Sequence, residues 1–170
     1  MNRAKKKNAD ACGDCGGPLQ RRTENHRLPL VGDWGVTLEG VESTYCSKCG
    51  ARGVSIERMA PLMRGIAAAV VAKGVRLAAA EVTFLRKHLG YTGARLSKAL
   101  GVTGPTVSRW ETAREPIGPS ADRLLRALVV IHDGASDRFD PTRFEAIEEG
   151  AAPLRLTLRR DARGNWAAAA

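Results

Sequence analysis

The chain has 170 residues, of which 44% are hydrophobic, and its formal net charge is +9. This hydrophobic content is sufficient for a packed core and argues against a wholly disordered chain. The basic balance favours a polyanionic partner. The excess of positive charge is concentrated in residues 61–135, which contain 11 Lys and Arg side chains and 5 Asp and Glu side chains, a net charge of +6.

The N-terminus is basic, but no apolar run follows it, so we predict no secretory signal. The longest apolar stretch, GIAAAVVAKGV, is too short and too rich in alanine to span a bilayer. We therefore expect a soluble, cytoplasmic protein with no membrane partner, in which thiols stay reduced. Residues 1–11 are predicted to be a flexible lead.

The four cysteines form two C-x2-C pairs, Cys12 with Cys15 and Cys46 with Cys49. Two intervening residues allow both thiolates of a pair to face one ion, and four thiolates fill the tetrahedron that Zn²⁺ prefers. No coordination position then remains for water. We predict one structural Zn²⁺ per chain, held in a β-rich module over residues 12–60.

Other interpretations of the cysteines are weaker. A redox pair would need one C-x2-C motif in a βαβ unit, and disulfides would need an oxidising compartment. His26 lies between the two pairs, but four thiolates already suffice for the metal. The segment GVTLEGVESTYC alternates loosely between apolar and polar residues, which predicts a β-strand inside the module.

Residues 61–78 are predicted to form a helical linker that ends in a hinge near Gly74. The pattern over residues 79–134 then predicts a domain of five short helices. Thr92 and Thr103 are placed to cap two of these helices, and Gly101 supplies the corner between them. The side chains predicted to face the core are Leu85, Leu89, Leu96, Ala99, Leu100, Val107, Trp110, Leu124, Leu125 and Leu128.

The stretch from Thr92 to Glu111, T-x-x-x-L-S-x-x-L-G-V-T-x-x-T-V-S-R-W-E, resembles the Xre or phage-repressor type of helix-turn-helix. Joined to the cysteine module, residues 12–130 resemble the MqsA (YgiT-type) antitoxins. The resemblance implies that the helix-turn-helix half dimerises and represses its own operon. It also implies that the zinc module binds a toxin, usually an mRNA-cleaving ribonuclease.

In this type of repressor the bases are met by the first residues of the third helix and by one residue a turn later. The resemblance therefore makes Arg109 the one strong base reader, with Thr106 beside it. The chain departs from the family pattern at Gly93, often a glutamine, and at Pro105, where MqsA has an asparagine. The predicted DNA-contacting set is Thr92, Arg95, Lys98, Thr103, Gly104, Thr106, Ser108, Arg109 and Arg114.

Residues 135–170 are predicted to form a tail outside the resemblance. Asp140 and Pro141 suit the start of a short helix. Leu154, Leu156 and Leu158 alternate with polar residues, which predicts a strand, and DARGN can turn it into a hairpin. We expect the apolar face of this strand to pack on the helical domain of its own chain or of a partner.

The sequence thus predicts an α+β protein with a zinc-bound β-rich module, a helix-turn-helix domain and a hairpin tail. We predict a sequence-specific transcription regulator that is not an enzyme, since the metal site is closed and no catalytic constellation is evident. Its predicted partners are operator DNA, a second copy of the chain and a small basic toxin. The alternative is a stand-alone zinc-containing repressor without a toxin. An RNA-binding zinc ribbon is disfavoured, because only 5% of residues are aromatic.

Overall fold

The structure is a computed structural model that describes residues 10–29, 35–135, 140–145, 147–150 and 152–169. Most of the lead predicted at residues 1–11 lies outside these ranges. The described elements are β1 (Leu19–Arg27), β2 (Val36–Cys46), β3 (Arg52–Ser55), α1 (Met59–Val71), α2 (Ala79–His88), α3 (Gly93–Leu100), α4 (Gly104–Glu111), α5 (Pro119–His132), a 3-10 helix (Pro141–Phe144), β4 (Leu156–Arg160) and β5 (Trp166–Ala168). They form a mixed α+β fold, as predicted.

The sheet is built around β2, which is the strand predicted from GVTLEGVESTYC. β1 pairs antiparallel with one edge of β2. The other edge is shared, because β3 pairs antiparallel with residues 42–45 and β4 pairs parallel with residues 36–39. β5 then pairs antiparallel with β4. Val36, Leu38 and Val41 of β2 are buried and join the same apolar core as the helices.

Strand β1 was not predicted from the sequence. Its segment, LQRRTENHR, is polar after Leu19, and almost every residue of the strand is exposed. An alternating apolar pattern arises only where one face of a strand is buried, so this strand leaves no such signal. It is a strand because its backbone hydrogen-bonds to β2, with Leu19 opposite Cys46 and Arg27 opposite Thr37.

The region 79–134 holds four helices, α2 to α5, where the sequence predicted five. Residues 112–118 between α4 and α5 are not helical, because Ala113 has a left-handed φ of 57° and Pro116 and Gly118 follow. The fifth helix is α1, which packs against α2 and α5. The segment predicted as a helical linker is therefore part of the helical core.

The capping predictions for α3 and α4 are confirmed. The Thr92 side chain accepts a hydrogen bond from the Arg95 amide at 3.1 Å, and Thr103 accepts one from the Thr106 amide at 3.3 Å. Gly101 ends α3 with a φ of 68°. The predicted core residues that are buried are Leu85, Leu89, Leu96, Leu100, Val107, Trp110 and Leu125.

Two of the predicted core residues are exposed, and one is only half-buried. Ala99 and Leu124 face solvent, and Leu128 is half-buried. Instead of Leu124, helix α5 buries Val129 and Val130. A helix of this type can bury only one broad stripe, and here the stripe runs through Leu125 and Val129. Because α5 is oriented with this stripe toward the core, Leu124 and Ile131 are exposed to solvent.

A fully buried arginine joins α5 to the end of α1. Arg126 pairs with Asp122 at 2.6 Å, and both side chains are at most 1% exposed. The same guanidinium donates to the carbonyls of Val71, Lys73 and Val75 at 2.6–2.8 Å. It thereby satisfies carbonyls beyond the last turn of α1 that would otherwise be buried without partners.

The tail crosses the segment that the sequence indicated as a hinge. Glu148 exchanges backbone hydrogen bonds with Gly74 and Arg76. Glu81 is buried; its carboxylate pairs with Lys73 and accepts the Leu154 amide at 2.8 Å. The tail strand then packs on the N-terminal sheet and α1, and the short helix at Pro141–Phe144 is a 3-10 helix.

Candidate functional site

The two cysteine pairs lie on loops with the same backbone geometry. In the first loop the Gly16 amide donates to the Cys12 carbonyl at 2.9 Å, and in the second the Gly50 amide donates to Cys46 at 2.9 Å. Both glycines adopt a left-handed φ, 70° and 77°. Only glycine takes this conformation without strain, so the glycine after each pair fixes the turn that aims the thiols inward.

The four sulfur atoms converge on one point. Cys12 Sγ lies 3.7 Å from Cys49 Sγ, and Cys15 Sγ lies 3.5 Å from Cys46 Sγ. All four lie within 4.8 Å of one another, and none is in a disulfide. Sulfurs held about 2.3 Å from a central Zn²⁺ would be about 3.8 Å apart at tetrahedral corners, so this donor set fits that ion.

The loops approach each other too closely for a side chain at Gly17. A Cβ at this position would lie 2.8 Å from the Cβ of Lys48 and 3.2 Å from Cys15 Sγ. The Gly17 amide also donates to Cys15 Sγ at 3.4 Å. His26 pairs opposite Leu38 in the sheet and is not one of the four clustered ligands.

The thiols perturb one another strongly. The Cys49 amide and other amide donors lower the pKa of Cys46 to about 6, against the opposing effect of burial. The Gly17 amide lowers the pKa of Cys15, but the neighbouring thiols and burial outweigh it and raise the pKa to about 12. Four thiols this close cannot all ionise alone, so the charge of a bound cation would complete the site.

The predicted DNA-contacting residues lie on α3, α4 and the turns that flank them. Thr106 is half-buried, whereas the others are exposed: Thr92, Arg95, Lys98, Thr103, Gly104, Ser108, Arg109 and Arg114. A hydrogen-bonded row runs along α4. Thr103 Oγ1 meets Thr106 Oγ1 at 2.8 Å, and Arg109 donates to Thr106 Oγ1 at 3.2 Å.

The far end of this row is Glu115, which the sequence analysis did not single out. Arg109 Nε donates to Glu115 Oε2 at 2.9 Å. Both side chains are about half exposed. A carboxylate on Nε and a hydroxyl on one terminal nitrogen hold the guanidinium in one orientation. The only sequence signal for this contact was the position of Glu115, just after α4 and six residues from Arg109.

A second arginine fixes the position of α4. Arg86 of α2 pairs with Glu111 at 2.6 Å and donates to the Tyr91 carbonyl at 2.8 Å. The Arg95 guanidinium lies over the Tyr91 ring, 4.1 Å from its centre. These contacts tie α2, the start of α3 and the end of α4 together. The surface formed by α3 and α4 is therefore preorganised.

Residues 84–130 match the Helix-turn-helix family model. The comparison with curated proteins returned no match. The matched segment spans α3, the Gly101 turn and α4, and it supports a DNA-binding transcription regulator. Among the described helices, none combines the length and the apolar character needed to cross a membrane.

We predict that Glu115→Ala lowers discrimination between specific and random DNA but tightens binding to random DNA. The change frees Arg109 from its 2.9 Å partner and removes a negative charge from the predicted DNA-contacting surface. Discrimination should fall by up to about fivefold, since an exposed ion pair contributes about 0.2–1 kcal/mol. Competition binding measures both effects.

The matched control for this prediction is Glu42→Ala, which removes the same charge from strand β2. We expect the control to leave discrimination unchanged. If both variants discriminate like the wild type, Glu115 does not orient Arg109.

Proposed function

We propose that the chain is a zinc-containing, sequence-specific repressor of the MqsA antitoxin type. The observation that carries this proposal is the union, in one chain, of a four-cysteine cluster with a helix-turn-helix whose α4 presents a fixed arginine. The chemistry of each part supports a separate role. The thiols hold a metal, and the helical half binds DNA.

The metal is Zn²⁺, and its role is structural. Four thiolates are the donor set of closed zinc sites, and they leave no position for a substrate or water. Cys12, Cys15, Cys46 and Cys49 would hold it, and the ion would supply charge neutralisation and crosslinking. It would tie the loop before β1 to the turn after β2, and so fix the sheet that carries α1 and the tail.

Arg109 reads the DNA bases in this proposal. A bidentate arginine–guanine contact provides about 1–3 kcal/mol of discrimination. Gly104 and Pro105 carry no side-chain donor, so Thr106 is the other base contact. Exposed Arg95, Lys98 and Arg114, with amides at the starts of α3 and α4, would contact phosphates, as would the hydroxyls of Thr92, Thr103 and Ser108.

One arginine per α4 helix provides little discrimination between DNA sequences. A two-fold dimer would double the number of arginine–base contacts. Helix α5 supports such a dimer, because it leaves an apolar stripe uncovered. Leu124 is 42% exposed and Ile131 is 67% exposed, with half-buried Leu128 between them at helical spacing. Pairing two copies along this stripe would bury all three side chains, and binding of the dimer to adjacent major grooves would require its two α4 helices to lie about 34 Å apart.

We therefore predict that the double variant Leu124→Glu, Ile131→Glu is monomeric at micromolar concentration. Charge on a face that must be desolvated opposes association. Since each monomer meets only one half-site, operator affinity should fall by at least tenfold. Sedimentation velocity and a DNA-binding titration measure the two effects.

The matched control for the dimer is Val54→Glu, which places a charge at an apolar side chain that is likewise exposed, 39%, but lies on strand β3 and outside the α5 stripe. It should remain dimeric. A double variant that sediments as a dimer would remove α5 from the interface.

The binding of a toxin is the finer part of the proposal. Strand β1 is almost wholly exposed, and its outer edge is unpaired within the described residues. Such an edge can accept a partner's strand or loop. The alternative is a repressor without a toxin, in which β4 and β5 extend the other side of the sheet and the β1 edge has no partner.

Affinity purification of the full chain from its native host tests both parts. We expect DNA from upstream of the chain's own gene to be enriched. For an antitoxin, a small basic protein encoded beside it should be recovered in stoichiometric amount. Enriched DNA without that protein would favour the stand-alone repressor, whereas absence of specific DNA would contradict a repressor of either kind.

A further inference from the structure

A second group of potential ligands lies at the ends of two helices, apart from the cysteines and from α4. His88 is the last residue of α2, His132 is the last residue of α5, and Asp133 follows it. His88 Nε2 lies 2.9 Å from both carboxylate oxygens of Asp133. One ligand atom from each of the three residues lies within 4.8 Å of the others.

The arrangement is partly preorganised. The side chains of His88 and Asp133 are only 9% and 14% exposed. The His88 ring stacks on Phe84, with ring centres 6.1 Å apart, and this contact holds its Nε2 toward the carboxylate. His132 is exposed and sets its ring edge-on to His88, with the ring centres 5.8 Å apart.

The three residues line a cavity of about 690 Å³ between α1, α2 and α5. Met63 and Phe84 contribute apolar wall, while Arg64 and Lys87 bring positive charge to the same cavity. Both basic side chains are exposed, and in the described part of the chain neither has an ion-pair partner. They disfavour a bare cation but favour a cation that carries an anionic ligand in its open positions.

We propose that His88, His132 and Asp133 form a binding site for a divalent first-row transition metal such as Ni²⁺, Co²⁺ or Zn²⁺. Two imidazoles and one carboxylate suit these ions rather than Mg²⁺ or Ca²⁺, which prefer oxygen ligands. Cis ligands at about 2.1 Å from an octahedral ion are about 3 Å apart, which matches the His88–Asp133 spacing. Coordination through His88 Nε2 would place the hydrogen of the neutral imidazole on Nδ1, so the metal would replace the hydrogen bond between His88 and Asp133.

Such a metal would clamp the C-terminal ends of α2 and α5. It would leave coordination positions open, unlike the four-thiolate cluster. The apolar wall and the two basic side chains then define what can bind beside the metal, a small carboxylate with an apolar portion. Because the site uses none of the residues proposed to bind DNA or the cysteine-bound metal, its failure would leave the proposed function intact.

The test uses the full chain with its thiolates loaded with zinc. The protein is equilibrated against Ni²⁺, freed of unbound metal and analysed for both elements. We expect one nickel per chain in addition to one retained zinc. The nickel should be lost in His132→Gln, an exposed substitution that leaves the fold intact, and in Asp133→Asn.

The matched control is His26→Gln, because His26 is the remaining histidine of the three and lies on strand β1. This variant should bind nickel like the wild type. Nickel should also raise the melting temperature of the wild type and of His26→Gln, but not that of His132→Gln. Absence of nickel from the wild type, nickel that displaces zinc, or nickel that persists in both His132→Gln and Asp133→Asn would each overturn the proposal.

Discussion

Replacing Arg109 with alanine is expected to abolish most of the preference for operator DNA over random DNA. The variant loses the proposed base reader of each α4 helix but keeps the basic side chains around it. In a dimer two such contacts are lost, each contributing about 1–3 kcal/mol of discrimination. Weak, salt-sensitive binding should remain, because it depends on phosphate contacts. Competition of labelled operator with random duplex at two salt concentrations measures both quantities.

Arg114→Ala is the matched control, since it removes an arginine that is also exposed and lies just after α4. Because Arg114 is a proposed phosphate contact, its loss should weaken binding to operator and to random DNA about equally and reduce the salt dependence of binding. If Arg109→Ala retains full discrimination, α4 does not read bases through this residue.

Replacing Cys46 with serine is expected to release the metal and unfold the N-terminal sheet. Zinc sites of this donor type contribute about 10–16 kcal/mol of apparent binding energy, and this binding is coupled to folding. Cys46 is also fully buried and opposite Leu19, so its loss affects the pairing of β1 with β2. Helices α2 to α5 should persist, since their contacts with one another are independent of the thiols.

Metal analysis with circular dichroism and limited proteolysis measures this outcome. Ser47→Ala, in the same loop but without a sulfur, should keep one zinc and a protected sheet. Chelation of the wild-type metal should reproduce the effect of Cys46→Ser. A metal-free protein with an intact N-terminal sheet would show that the cluster does not require an ion.

The features that could be predicted from the sequence are those with local causes. The cysteine spacing places two thiols on each loop whatever surrounds them, and the loops meet because β1 and β2 lie between them. Thr92, Gly101 and Thr103 act on the backbone within a few residues of themselves. Their roles as helix caps, and the turn at Gly101, can therefore be predicted directly from the sequence. Helix α4 follows from these signals together with buried Val107 and Trp110.

The remaining features depend on contacts between distant segments. Arg126 looks like a solvated charge in ADRLLRALVV, yet it is fully buried because it completes the end of α1, more than 50 residues earlier in the chain. The tail strand shows an alternating pattern, but the pattern does not specify β2 as its partner. Leu124 matches a helical stripe as well as Val129 does, and only packing against α1 and α2 decides which is buried.

Glu115 illustrates the same limit within the candidate site. An acidic side chain beside a helix that is proposed to read DNA looks unfavourable in the sequence, because it would repel phosphate. In the fold it lies 2.9 Å from Arg109 Nε and orients the guanidinium. The loop after α4 returns toward the helix only because Ala113 takes a left-handed conformation, and that backbone state has no clear sequence signal.

We propose that α4 of a paired helix-turn-helix reads a specific operator. The most direct test is footprinting of the purified full chain on DNA from upstream of its own gene, with unrelated duplex of equal length as competitor. We predict two protected half-sites related by two-fold symmetry, with centres about one helical turn or about 34 Å apart. Protection should persist under excess competitor. Equal binding to upstream and unrelated DNA, with no protected site, would contradict the account.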